Sequence, residues 1–231
     1  MEKNVIVLSL GGSMIVPNEI NIKFLREFRN LLKKYTPKYK FVVVCGGGST
    51  ARKYISGLEK EKTAKKRFHQ SLLGIASTRL NARFMTYFFG EDANKGLPHD
   101  MTEVKNMLHI YDVVFCGALR YAKNETSDGT SAKLANFFQS PFINLTNVDG
   151  LYTKNPKKFK DAKFIPKISW KRFSDMANSQ KFKSGQHFVL DQSASKIIEK
   201  NKITTYIIGT NLKNLKNVLN KKKFRGTLIE G

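Results

Sequence analysis

An α/β fold with a mainly parallel sheet, covered on both faces by helices, is what this sequence of 231 residues predicts. Short β-branched runs alternate with longer amphipathic segments, the signature of repeated βαβ units. Two of the runs end in glycine clusters, and both clusters must lie on one edge of the sheet if the strands are parallel.

The predicted strands are Asn4 to Leu10, Phe41 to Cys45, Val113 to Cys116, Phe142 to Thr146 and Thr204 to Ile208. Between the first two, Ile22, Leu25, Phe28, Leu32 and Tyr35 recur at three- and four-residue steps, so a helix there buries one face and turns most of its basic residues to the other. Further helices are expected at Ser49 to Glu61, Leu72 to Phe89, Thr130 to Phe138, Trp170 to Asn178, Asp191 to Asn201 and Leu212 to Leu219. Residues 155–163 are polar and Lys-rich, as in an exposed loop. With no internal repeat and no low-complexity linker, one domain is expected over residues 1–231.

Several function classes are set aside by composition. No apolar stretch reaches the roughly 18 to 20 residues that span a bilayer, and Met1 to Leu10 lacks a basic region followed by a cleavage site. A soluble, cytoplasmic protein is expected. Cys45 and Cys116 each close an apolar run, which makes them small core residues of a reducing compartment rather than redox partners. His69, His99, His109 and His187 show no metal-ligand spacing, so no zinc site is expected. The net charge of +23 raises nucleic acid as a partner. The basic residues, however, are spread along the chain, as at Lys60 to Arg67 and Lys221 to Arg225, without interleaved aromatics. A solvated surface is the expectation, and its field also attracts a small anionic substrate.

The glycine clusters carry the chemistry. Gly11, Gly12 and Ser13 follow the first strand, and Gly46, Gly47 and Gly48 follow the second and lead into a helix. Without a Cβ the backbone turns sharply and brings N–H groups against a ligand, while the helix N-terminus adds partial positive charge. Phosphate suits such a place. Neither cluster matches GxxxxGK[ST] or GxGxxG, which argues against a P-loop and a dinucleotide-binding domain. Arg52, in the first turn after the second cluster, can offer a phosphate its planar fork, or remain a surface cation.

On these residues the chain resembles the archaeal-type uridylate kinases of the amino-acid kinase superfamily. GGGSTARKYI at 46–55, STRLNA at 77–82, TSDGTSAKLA at 126–135, TNVDGLYTKNPKKFKDAK at 146–163 and LDQSASKIIEKNKI at 190–203 occur in that family's order and, with LGGS at 10–13, cover nearly the whole chain. The resemblance implies a single three-layer α/β/α sandwich, with an acceptor-binding N-terminal half and an ATP-binding C-terminal lobe, assembled as a homohexamer. It implies ATP as phosphoryl donor, Mg²⁺, and UMP as acceptor.

Carried over by position, Gly12, Ser13, Gly48 and Arg52 face the ATP phosphates, and Thr146, Asn147, Tyr152 and Asn155 hold its nucleoside. Tyr152 can also be an ordinary packed aromatic, and Asn147 with Asp149 a turn before glycine. Gly47, Ser71, Thr126 and Ser127 take the UMP side. Thr126, Ser127 and Asp128 also read as a helix cap, and the two roles are compatible. Asp128 orients a cation rather than acting as a base, because phosphoryl transfer depends mainly on positioning and charge neutralisation. No direct protein ligation of metal is expected.

The chain departs from that pattern at Ser9, where many relatives carry a Lys, at Ser71 and Asn155, where they carry Asp, and at the longer loop Gly117 to Glu125. Lys133, Lys154 and Lys196 are the candidates to replace the missing cation, with Lys196 grouped beside Asp128 and Arg52 as the catalytic set. These departures keep two alternatives in view: a nucleotide-binding regulatory or storage protein without turnover, and a kinase for another small phosphate or carboxylate acceptor.

Overall fold

The computed structural model describes residues 3–59, 61–121, 126–156, 159–179 and 189–231. Lys60, residues 122–125 of the loop after β3, Lys157, Lys158 and His187 lie outside the described residues.

In chain order the elements are β1 (Asn4–Leu10), α1 (Gly12–Ile15), α2 (Ile22–Tyr35), β2 (Tyr39–Cys45), α3 (Gly48–Glu59), α4 (Lys66–Phe89), α5 (Met101–Ile110), β3 (Val113–Cys116), α6 (Ser127–Phe137), β4 (Phe142–Leu145), β5 (Leu151–Tyr152), β6 (Phe164–Ile165), β7 (Lys167–Ile168), α7 (Trp170–Ser179), α8 (Gln192–Lys200), β8 (Thr205–Ile208), α9 (Leu212–Leu219) and β9 (Thr227–Ile229). The main sheet runs β3-β2-β1-β4-β8-β9-β7, so a single sheet passes through both halves of the chain. β9 lies antiparallel to β8, and the other neighbours in this sheet are parallel. β5 and β6 form a separate antiparallel pair beyond the carboxyl end of β4.

Alternation along the strands builds two cores. Leu8, Leu10, Phe41, Val43 and Phe115 face the layer made by α2, α4 and α9, where Leu25, Phe28, Met85 and Leu215 meet them. Val7, Val42, Val44, Val114 and Cys116 face the other layer, with Val104 of α5, Leu134 of α6, Phe173 of α7 and Ile198 of α8. A parallel strand buried on both faces has no polar alternation, and β1 and β2 are accordingly near-continuous apolar runs. Cys45 and Cys116 are buried and unpaired by disulfide, and burial pushes the Cys116 thiol up to about 12.

The five strands and the helix faces predicted from periodicity are present, with ends moved by one to two residues at most among the strands. α5 and the short strands β5, β6, β7 and β9 have no counterpart among the predicted elements. No helix among the described residues is long and apolar enough to cross a membrane.

Candidate functional site

β1 and β2 lie in parallel register with Leu10 opposite Cys45, so both glycine turns leave the sheet side by side. They touch through backbone alone. A Cβ on Gly12 would lie 2.0 Å from the Gly48 nitrogen, and one on Gly46 would lie 2.5 Å from the Gly12 nitrogen. Gly48 adds a φ of +66°, in the left-handed region that side chains avoid. The Gly46 N–H donates to the Leu10 carbonyl at 3.0 Å, and the Ser49 N–H to that of Val16 at 3.1 Å. On the other flank the Gly11 N–H donates to Leu145 and the Thr146 N–H to Ile208, each at 3.0 Å. The tips of β2, β1, β4 and β8 thus carry one row of loops.

α6 brings the acid to this row. Thr126 caps the helix by accepting the Gly129 N–H at 3.2 Å. In the first turn, Asp128 accepts a hydrogen bond from Ser9 Oγ at 3.1 Å. Desolvation and then the Asp191 carboxylate raise the Asp128 pKa to about 7, and the Ser9 bond offsets only part of that. Among the described residues no cation enters this balance. Asp191 caps α8 by accepting the Ala194 N–H at 2.9 Å, and its second oxygen accepts the Thr126 hydroxyl proton.

The STRLNA segment lies in the middle of α4 and clamps two loops. Asn81 Nδ2 donates to the Gly46 carbonyl at 2.7 Å. Thr78 Oγ1 accepts the Ala118 N–H at 2.9 Å, while Arg79 donates to the carbonyls of Ala118 at 3.0 Å and Leu119 at 2.6 Å. Gly117 completes the approach, since a Cβ there would lie 2.7 Å from the Arg79 nitrogen. Further along the same loop, Tyr121 meets the Phe68 ring edge-on at 4.9 Å.

The residues expected to hold the donor nucleoside follow β4. Thr146 is half-buried and Asn147 exposed. Tyr152 packs edge-on against Phe164 at 5.3 Å, so the ring does have a packing partner beneath the loop. Arg225, from the β9 side, donates to Asp149 Oδ2 at 2.8 Å and lies 5.6 Å from the Phe164 ring. Asn155 opens the turn closed by the Phe159 N–H, which donates to its carbonyl at 3.0 Å.

The remaining predicted residues lie as follows. Gly47 immediately precedes α3, where a Cβ would lie 2.5 Å from Ala51 Cβ, and Arg52 is exposed one turn into the helix. Ser13 lies in α1 beside Gly12, and Ser127 opens α6. Ser71 is exposed and spends its hydroxyl on the Arg67 carbonyl of its own helix, at 2.9 Å. Lys196 lines a groove of about 450 Å³ between α6 and α8 with Lys133, Phe137 and Lys200. Lys154 pairs with Asp161 at 2.5 Å on an exposed loop. Among the described residues no three His, Cys, Asp or Glu side chains gather as metal ligands.

Arg79, Asp191, Arg225 and Thr227 belong to the framework and lie beyond the residues that sequence reasoning picks out. The signal for Arg79 is a run of polar residues interrupting an apolar helix. That for Asp191 is its N-cap position before an amphipathic segment.

The family described as the amino acid kinase family matches residues 4–209. The uridylate kinase of Methanocaldococcus jannaschii is 35% identical over 229 residues, covering 98% of this chain and 99% of that protein. The crystal structure of uridylate kinase from Archaeoglobus fulgidus superposes with a TM-score of 0.83 at 33% identity, over 97% of this chain and 99% of that one. UMP kinase from Ureaplasma parvum shares the fold, with a TM-score of 0.79 at 20% identity over the full length of both chains.

Proposed function

The chain belongs to the amino acid kinase family, and within it we propose that this protein is a uridylate kinase, transferring the γ-phosphoryl group of ATP to UMP to give UDP and ADP. The observation that carries the proposal is the backbone contact of Gly12 with Gly46 and Gly48 at adjacent strand tips, beside the Asp128 end of α6. Two turns without side chains at that edge, one of them leading into α3, let a polyphosphate approach the backbone closely beside a helix N-terminus.

In this arrangement the ATP phosphates lie over Gly12, Ser13, Gly47 and Gly48, with Arg52 at their flank. The nucleoside lies along Thr146, Asn147, Tyr152 and Asn155. The UMP phosphate meets the N-terminus of α6, whose first N–H groups have no partner within the helix. A UMP phosphate oxygen then attacks the γ-phosphorus in line as the bond to the bridging oxygen of ADP breaks, without a covalent enzyme intermediate. Positive charge on the transferring group comes from the N-termini of α3 and α6 and from Arg52, since Ser9 supplies none.

Mg²⁺ fits this donor set as an ion carried mainly by phosphate oxygens and water, with Asp128 as the carboxylate that orients it. When bound, it neutralises charge on the phosphates.

We further assign the protein to the cytoplasm as a homo-oligomer. Leu72, Leu80 and Tyr87 leave 40%, 60% and 73% of their surface exposed along one side of α4, an apolar stripe that a second copy would cover. Light scattering of Leu80→Glu against wild type tests this.

A coupled assay for ADP release with UMP, CMP and other nucleoside monophosphates tests the activity. UMP-dependent turnover is expected. ATP binding without release of ADP to any acceptor would instead favour the nucleotide-binding reading that Ser9 motivates.

A further inference from the structure

A hydroxyl has one proton to donate and lone pairs with which to accept. At Thr126 both roles are taken: Oγ1 accepts the Gly129 N–H at 3.2 Å, and its proton goes to Asp191 Oδ2. Asp191 is equally committed, because its other oxygen accepts the Ala194 N–H at 2.9 Å as the cap of α8. Two helix N-termini are therefore tied together through a pair of side chains. The segment entering α8 is itself fixed to the sheet by Asn144, whose Nδ2 donates to the Val189 carbonyl at 2.9 Å.

We infer that Asp191 is a positioning residue for phosphoryl transfer, holding Thr126 so that Ser127 and Asp128, and not the Thr126 hydroxyl, face the acceptor phosphate. The inference rests on the uridylate kinase reading. A phosphate oxygen requires a donor, and the Thr126 hydroxyl already gives its one proton to Asp191. Ser127, the next residue, opens the same turn with its hydroxyl. Asp128 gains its contact with β1 through this placement, since α6 enters the site from the capped turn that Asp191 anchors. From α8 the charged group facing Asp128 is Asp191, from β1 it meets the Ser9 hydroxyl, and β2 and β4 present Val42, Val44 and Phe142 to the helix.

Replacing Asp191 by Asn keeps the volume, but an amide cannot accept at both positions. Either the α8 cap or the bond from Thr126 is lost or reversed. Steady-state kinetics of the full-length chain should show Asp191→Asn lowering kcat/KM for UMP by about 10-fold or more with the ATP KM within about 2-fold, as expected for a misplaced acceptor turn. Thr126→Val should show the same loss, Thr126→Ser should restore it, and the double variant should be no worse than either single one.

An Asp191→Asn enzyme with wild-type UMP kinetics would overturn the inference, most clearly if Thr126→Val alone raised the UMP KM. Should Asp191→Asn not fold, the Ser and Val variants at 126 carry the same comparison, and equal UMP kinetics in both would sink it. A wild type inactive with every nucleoside monophosphate would remove the function reading and this inference together, whereas an active wild type with an unaffected Asp191→Asn removes the inference alone.

Discussion

Ser9 Oγ donates to Asp128 Oδ1 at 3.1 Å, so a neutral hydroxyl on a buried central strand meets the acid at the head of α6. An ammonium in that place would hold the carboxyl ionised. A hydroxyl does far less, and with Asp191 close by the Asp128 pKa stands at about 7 rather than 3.8. The protonation state of Asp128 is therefore set within the range where the enzyme would work, which makes Ser9 a control on its charge.

Replacing Ser9 by Ala removes the hydrogen bond that lowers this pKa. The acid limb of the pH–rate profile should move to higher pH, read directly from kcat/KM measured across neutrality.

Asp128→Asn separates charge from packing. Because the folded pKa of about 7 lies above the ordinary 3.8, the folded protein binds this proton more tightly than the unfolded chain does. The resulting stability is fully present below about 3.8 and is lost as pH rises through about 7. The variant does not titrate there, so its Tm relative to wild type should climb over that interval and level off above it. Its kcat should fall on the order of 100-fold, in line with the loss of a preorganised charge.

The glycine turns give a test by contrast within one region. Gly48→Ala forces a side chain into φ +66° and to 2.5 Å from the Gly12 carbonyl oxygen. Loss of ATP binding by calorimetry and a lowered Tm are expected. Gly57, inside α3, has open space around it, and a Cβ added there would meet nothing within 4 Å. Gly57→Ala should keep activity and gain about 0.5–1 kcal/mol from helix propensity.

Much of this was legible because buried parallel strands and one-sided helices write their periods plainly, as in β1 and in α2 with Leu25, Phe28 and Leu32. α5 was missed although Met101, Val104, Met107 and Leu108 recur at helical steps and Asp100 accepts the Glu103 N–H at 2.9 Å as its cap; its ten residues are short and lie between polar loops. β9 escaped because three residues carry no period, and its place beside β8 depends on long-range pairing. At the site, the glycine turns were visible from residue type alone. The tie between Thr126 and Asp191 spans 65 residues, and no local spacing encodes it.

Arg79 holds the loop after β3, which in the proposed reading borders UMP, by two bonds to successive carbonyls, a geometry suited to a planar fork. Arg79→Lys should raise the UMP KM by about 10-fold with a smaller effect on ATP, since an ammonium cannot span both oxygens with the same geometry. Asn81→Ala acts elsewhere. It leaves the buried Gly46 carbonyl without its side-chain partner and should cost about 1–3 kcal/mol in chemical denaturation.

Arg225 and Thr227 are two residues apart and should respond in opposite ways. Arg225 lies largely in solvent, bonded to Asp149 and set beside the Phe164 ring that packs on Tyr152. An exposed pair contributes little to stability, so Arg225→Ala should leave the Tm unchanged and raise the ATP KM several-fold if this side of the loop borders the nucleoside. Thr227 is buried, accepts the Leu151 N–H at 2.7 Å and donates to the Ile165 carbonyl at 2.5 Å, holding the β5–β6 pair against β9. Thr227→Val leaves both backbone groups without that partner and should cost about 1–3 kcal/mol. Equal Tm loss in the two variants would show that the Arg225 pair anchors the loop, and the ATP effect would then be indirect.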